Sequence, residues 1–344
     1  MTDLSDREQL VLQHIIGQYI QTASPVGSRT ISKQSELSLS PASIRNIMAD
    51  LEEKGYIDHP HTSAGRIPTD LGYRFYVDQV MLREGLALQE REFIERYFET
   101  VLPPDFETIV RECSRLLGEI SQQLAVVSTP HIGSGVLRHL DLIELSSNRI
   151  MVVLSIESGI VKTITFEVDT EISRQTLDRL ANLLNERLAG LTLREIRESF
   201  SERVKDAATV TDDRLIELFI QSSDRLFSER LEESRIYIDG MRGMMRQPEF
   251  GQPERLRDII ELVENNTVII HVLETIDEDA SIAIRIGSET GEERMKEYSL
   301  IASPYRIGSM TGMLSVLGPR RMNYARMIAI LETLSKLITQ QSPR

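Results

Sequence analysis

The chain has 344 residues, of which 41% are hydrophobic and 27% charged, with a formal net charge of −14; that is enough for two or three domains with real cores. A single cysteine, Cys113, excludes an intramolecular disulfide framework, and on its helix-like stretch it reads as a small buried apolar group. No apolar run approaches a membrane span and the opening residues lack the regions of a signal peptide, so a cytoplasmic protein is expected.

The first helix opens at Ser5-Asp-Arg-Glu8, a capping box, and Leu12, Ile15, Ile16 and Tyr19 then recur on one face. A second, short helical pattern is centred on Arg29 to Gln34 and ends in the polar Ser35-Glu36. The third has Ser40 as N-cap, Pro41 at the first helical position and Gly55 just past its end. Its Ile44, Ile47, Met48 and Leu51 share a core-facing side, which turns Ala42, Arg45, Asn46 and Ala49 outward. An Arg and an Asn among small residues suit a helix entering a major groove, where Arg reads guanine O6 and N7 and Asn reads adenine N6 and N7.

After Tyr56-Ile57 comes His59-Pro-His61-Thr62-Ser63-Ala-Gly65-Arg66-Ile-Pro68, a tight reversal with Arg66 expected near its tip, within reach of a phosphate or a narrow minor groove. Three helices followed by such a wing are the plan of a winged helix-turn-helix and point to DNA. The candidate DNA-contacting set is Arg29, Ser40, Ala42, Ser43, Arg45, Asn46, His61, Thr62, Ser63 and Arg66. His59 and His61 lack the Cys or carboxylate partners that would complete a metal site, so no metal is expected. Between Pro25 and Phe75 the basic Arg29, Lys33, Arg45, Lys54, Arg66 and Arg74 balance the acidic residues, which leaves most of the negative excess to the rest of the chain. An acidic body keeps the sequence-independent phosphate attraction small.

Tyr73, Tyr76, Val77 and Val80 continue a helical stripe that leads out of this unit, and Pro103-Pro104 breaks the next helical stretch. A helix from Phe106 to about Gln123 precedes strand-like runs at His139 to Leu145, Arg149 to Glu157 and Ile160 to Val168, joined by hairpin-length turns. A largely helical interval from Glu171 to Gln252 carries Leu177, Leu180, Leu184 and Leu188 at helical spacing. Its Met241, Met244 and Met245, with Gly240, Gly243 and Pro248, mark an irregular segment with gap-filling methionines. Further strands are expected at Thr267 to Glu274, Ser281 to Gly287, Tyr298 to Ser303 and Gly312 to Leu317, before a last amphipathic helix from Asn323 to Ile338. A sheet interrupted by a helical block suggests one domain inserted in another, although two separate domains fit the pattern as well. There is no phosphate cradle and no nucleophile with its base, so neither a cofactor nor an enzyme is expected. The turns Ser303-Pro304-Tyr305-Arg306 and Gly318-Pro-Arg-Arg321 remain as candidates to line a pocket.

The stretches PVGSRTIS, LSPASIRNIMADLEEKGYI and PHTSAGRIPTDLGYRFYVD, with the C-terminal LGPRRMNYARMI, resemble the HrcA family of bacterial heat-inducible transcription repressors from end to end. Arg320 stands where that motif leads us to expect a smaller polar residue. The resemblance implies a multidomain α+β chain: a winged helix-turn-helix over 1–85, a GAF-like α+β domain in two parts over 86–170 and 258–344, and an inserted dimerising domain over 171–257. It further implies a homodimer on an inverted-repeat operator in double-stranded DNA at chaperone operons, with activity maintained by the GroE chaperonin. The alternative is a metabolite-responsive regulator with a ligand in the GAF-like domain.

Overall fold

The structure, a computed structural model, describes residues 4–33, 39–60, 65–83, 85–101, 106–130, 132–157, 159–168, 172–205, 213–227, 236–277 and 280–340. Ser35-Glu36 and Pro103-Pro104 lie outside the described residues.

Helix α1 (Asp6–Thr22) begins with the expected capping box: Ser5 Oγ accepts from the Glu8 N–H, and the Glu8 carboxylate accepts from the Ser5 N–H at 2.8 Å. Its Val11, Leu12, Ile15 and Ile16 are buried, and Tyr19 is half-buried. They meet Ile31 of α2 (Ser28–Ser32) and Ile44, Met48 and Leu51 of α3 (Pro41–Glu53), in a core continuous with that of the rest of the chain. Gly55, at φ +80°, ends α3 in the left-handed conformation that favours glycine.

Strand β1 (Ile57–Asp58) pairs antiparallel with β2 (Ile67–Pro68), and α4 (Asp70–Phe75) follows, running into a single π-helical turn, Tyr76–Val80. The start of α4 is pressed on the backbone of Tyr56. Thr69 N–H donates to the Tyr56 carbonyl at 3.1 Å, and a Cβ at Gly72 would stand 2.1 Å from that same oxygen. Phe75 closes on Tyr56 edge to face, with centroids 5.4 Å apart.

Helices α5 (Leu88–Val101) and α6 (Phe106–Ser121) lead to strand β3 (Leu124–Ser128). Then come β4 (Leu137–Ser146), β5 (Arg149–Ile156), β6 (Val161–Glu167), α7 (Arg174–Leu188), α8 (Leu193–Val204), α9 (Asp213–Gln221) and α10 (Ser223–Leu226). The three strands form an antiparallel meander of their own, in the order β4-β5-β6. Leu177, Leu180, Leu184 and Leu188 are buried as their spacing predicts. Asn185 of α7 holds β4 as a strand would, its amide accepting from Leu140 N–H at 2.8 Å and donating to Leu140 O at 2.7 Å.

The remainder is β7 (Ile236–Asp239), α11 (Met241–Met244), α12 (Pro253–Glu264), α13 (Thr267–Glu274), β8 (Ala283–Ile286), β9 (Tyr298–Ile307), β10 (Met310–Pro319) and α14 (Tyr324–Gln340). A five-stranded antiparallel sheet has the order β7-β3-β10-β9-β8. Alternation sets its two faces. Ala125, Val127, Leu314 and Val316 face the core shared with α6 and α14, whereas Leu124, Val126, Met313 and Leu317 face the core shared with α12 and α13. Every residue of the central strand β10 is buried. Met244 fills the second core while Met245 is exposed, and Cys113 is buried on α6.

Three expectations are corrected. The run Thr267–Glu274 is helix, not strand; its β-branched composition reads as strand, but Ile269, Val272 and Leu273 are buried at spacings of three and four. Strands β3 and β7 are absent from the expectations, because a short apolar run is ambiguous between strand and helix. Among the described residues the strands between His139 and Val168 pair with one another, and the strand from before Glu171 that pairs with the late strands is β3.

Candidate nucleic-acid interface

The candidate surface is built on α3. Pro41 and the Ser40 cap, whose Oγ accepts from Ser43 N–H at 3.1 Å, start the helix at a defined residue. Ser43 Oγ lies 3.0 Å from Ser40 Oγ, so two hydroxyls sit together beside the partly positive helix N-terminus, a favourable place for a phosphate. Ala42, Arg45, Asn46 and Ala49 are exposed, whereas Ile44 and Met48 point inward. The side chains of Arg45 and Asn46 have no hydrogen-bond or ionic partner among the described residues, and neither does that of the exposed Arg29 of α2. These groups are therefore free to donate to a base edge or a phosphate. His61, Thr62 and Ser63 lie outside the described residues.

Arg66 is placed differently from the expectation. It stands at the base of the ribbon, where its N–H and C=O exchange bonds with Val26 at 2.9 and 2.8 Å. Its guanidinium meets Glu52 of α3 at 2.7 Å. The bridge to Val26 and the close approach of Gly65 to Pro25, where a Cβ would lie 2.7 Å from the Pro25 carbonyl carbon, hold the Arg66 backbone there. The other end of α3 is tied to α1 by Lys54 and Glu8, 2.6 Å apart; the Lys54 ammonium holds the Glu8 carboxyl below the usual carboxylate range, against the effect of burial. Among the described residues no group of three or more His, Cys, Asp or Glu side chains is placed to hold a metal ion.

The unit bearing α3 is seated on the rest of the chain through α1 and α4. The Asp70 carboxylate accepts from the Ser288 N–H at 2.9 Å, the Ser288 hydroxyl at 2.8 Å and Arg320 at 2.8 Å. Arg74 forms a two-point pair with Glu289 and donates to the Ile284 carbonyl at 2.8 Å. Arg321 pairs with Glu249 and donates to the Ile20 carbonyl, in the last turn of α1, at 2.9 Å. Pro319, Arg320 and Arg321 also line a cleft of about 70 Å³ with Tyr19, Tyr73 and Glu297. That is far below the ~300–1,000 Å³ of ordinary small-molecule sites. Sequence reasoning missed this seat, because its partners are far apart in the chain; the unexpected Arg320 was the available signal.

With this geometry established, comparison with known proteins defines the class. A solved structure described as a hypothetical protein at 2.2 Å resolution matches with a TM-score of 0.57 over 98% of this chain and 99% of that chain; at 24% identity this speaks to the fold alone. Curated relatives of matching length are transcription repressors. The heat-inducible transcription repressor HrcA of Chlorobium phaeobacteroides (strain BS1) is 43% identical, covering 97% of each chain. That of Prosthecochloris aestuarii is also 43% identical, over 97% of this chain and 96% of its own. The family described as HrcA protein C terminal domain matches residues 107–328. The chain belongs to the HrcA family. It is a repressor of heat-inducible transcription, and the family is not enzymatic.

Proposed function

We propose that the chain represses chaperone operons by binding an inverted-repeat operator in double-stranded DNA as a homodimer in the cytoplasm, with its activity maintained by the GroE chaperonin. The observation that carries this reading is the exposed, unpartnered Arg45 and Asn46 on a helix whose limits and buried side are sharply defined. In this reading residues 1–85 are a winged helix-turn-helix, with α3 in the major groove and Arg29, Ser40 and Ser43 on phosphates. His61, Thr62, Ser63 and Arg66 belong to the wing, where Arg66 also pairs with Glu52 of α3.

The five-stranded sheet with its flanking helices is the GAF-like domain, and the inserted unit is the dimerising one. The self-contained β4-β5-β6 meander supports starting the insert at Leu137 rather than at Glu171. Support for chaperonin dependence is topological. Ser315 bonds Val126 across 189 positions, and a sheet closed by such non-local pairs folds slowly and exposes unpaired edges while it does so. Unfolded proteins that occupy the chaperonin after heating would then lower the supply of active repressor and relieve the operons.

The test is footprinting of the purified protein on DNA upstream of its own gene and of chaperone operons, after refolding with and without chaperonin and nucleotide. A two-fold symmetric footprint, recovered better with chaperonin, is expected. Absence of protection on every such fragment removes the operator reading, and equal recovery removes the chaperonin.

A further inference from the structure

The contacts between the α3-bearing unit and the body are unusual in their chemistry. Two arginine-carboxylate pairs cross the junction, Arg320 with Asp70 and Arg74 with Glu289, on partly exposed side chains, beside the Ser288 bonds to Asp70 and the Arg321 bond to the Ile20 carbonyl. The cradle for Asp70 is shaped for it. Gly287 has φ +53°, and a Cβ there would stand 2.4 Å from the Asp70 carboxylate, so glycine is needed both for the turn and for the approach. Beneath it the Tyr73 ring lies 6.0 Å from that of Tyr324, the first residue of α14. None of these groups comes from α3. The covalent link out of the unit, residues 81–87, carries no regular secondary structure where it is described, and Leu82 in it is 72% exposed.

A link with no regular secondary structure among its described residues does not by itself fix a direction. The ion pairs do, because a two-point arginine-carboxylate pair constrains orientation as well as distance. We propose that Asp70, Arg74, Glu289 and Arg320 are positioning residues for DNA binding: they form an ionic latch that sets the direction in which the body presents α3. In a dimer, the latch in each copy makes the spacing and relative angle of the two α3 helices a property of the body. With the latch open the unit is no longer held in one direction. Each half-site is still read, but two half-sites are no longer held at one separation, and the gain from linking them shrinks. The inference rests on the operator reading above.

The test uses substitutions on the body side only, so that no DNA-contacting unit is altered: the full-length chain with Arg320→Ala and Glu289→Ala together, beside Arg320→Lys, which keeps the charge on Asp70. Affinity is measured for the footprinted duplex, for one isolated half-site, and for duplexes with five base pairs inserted between half-sites. The double variant is expected to lose roughly tenfold or more on the full operator. It should stay within about twofold on the half-site, because α3 and its surroundings are unchanged. Its penalty for the insertion should fall, and Arg320→Lys should restore part of the loss. Wild-type binding by the double variant overturns the proposal, as does an equal loss on half-site and full operator.

A second measurement does not depend on DNA. Spin labels at Thr22→Cys and Glu293→Cys, with Cys113 buried and out of reach, report the distance between the unit and the body. A narrow distribution that broadens in the double variant is expected. An unchanged narrow distribution overturns the latch even if the operator reading stands, and a broadening without any DNA binding by the wild type shows instead that the operator reading failed.

Discussion

Replacing Asn46 by alanine separates recognition from folding. The side chain is exposed on α3, between the buried Ile44 and Met48, and has no partner among the described residues, so nothing in the protein loses a bond. Alanine is the better helix former, by up to about 0.7 kcal/mol, so the melting temperature should hold or rise slightly. On DNA the outcome is the reverse. A bidentate contact from Asn to adenine contributes about 1–3 kcal/mol of discrimination, and a symmetric dimer carries the substitution twice, about 2–6 kcal/mol in all. At about 1.4 kcal/mol per factor of ten, the operator affinity falls by a factor between roughly 30 and roughly 2 × 10⁴. The assay is equilibrium binding at one fixed salt concentration to the operator and to a panel with each base pair changed symmetrically. Wild type should prefer one base at the position Asn46 faces, and Asn46→Ala should bind all four alike there while keeping its preferences elsewhere. A uniform loss on every duplex, including unrelated DNA, refutes base readout and makes Asn46 a general contact. A lowered melting temperature refutes the claim that it is structurally idle.

Gly72→Ala places a Cβ 2.1 Å from the Tyr56 carbonyl oxygen, so α4 must move off the ribbon; we expect a loss of about 2 kcal/mol or more, read as a lower midpoint in chemical denaturation. Tyr305→Phe removes the donor that meets the Ser128 carbonyl at 2.7 Å inside the body and should cost about 1–3 kcal/mol in the same assay, with half-site binding unaffected. Burial raises the Asp70 carboxyl, but the Ser288 donors and Arg320 outweigh it and leave the group below its ordinary value of 3.8. The folded value is thus depressed, so the contribution of Asp70 to the latch is fully present above pH 3.8 and is lost as pH falls through the lowered value. The labelled pair Thr22→Cys and Glu293→Cys should accordingly keep a narrow distance distribution from pH 8 down to about 5; broadening within that range contradicts the assignment.

What was legible in the sequence is what neighbours in the chain settle by themselves. The Ser5 and Glu8 capping box, the Ser40 cap with Pro41, the stop at Gly55 and the outward turn of Arg45 and Asn46 all depend on residues a few positions apart, where helix geometry leaves little choice. The buried stripe of α7 followed for the same reason. Partner choice is another matter. Burial of apolar surface is non-directional, and closing a longer loop costs only slightly more than closing a short one, so an apolar run does not name the element it will meet. Hence only the tertiary structure decided that β10 lies between β3 and β9, that β4 to β6 keep to themselves, and that Thr267–Glu274 coils into a helix over the sheet. The same applies to charge: the motif showed Arg66 and Arg320, but it took the folded chain to bring Glu52 to one and Asp70, 250 positions away, to the other.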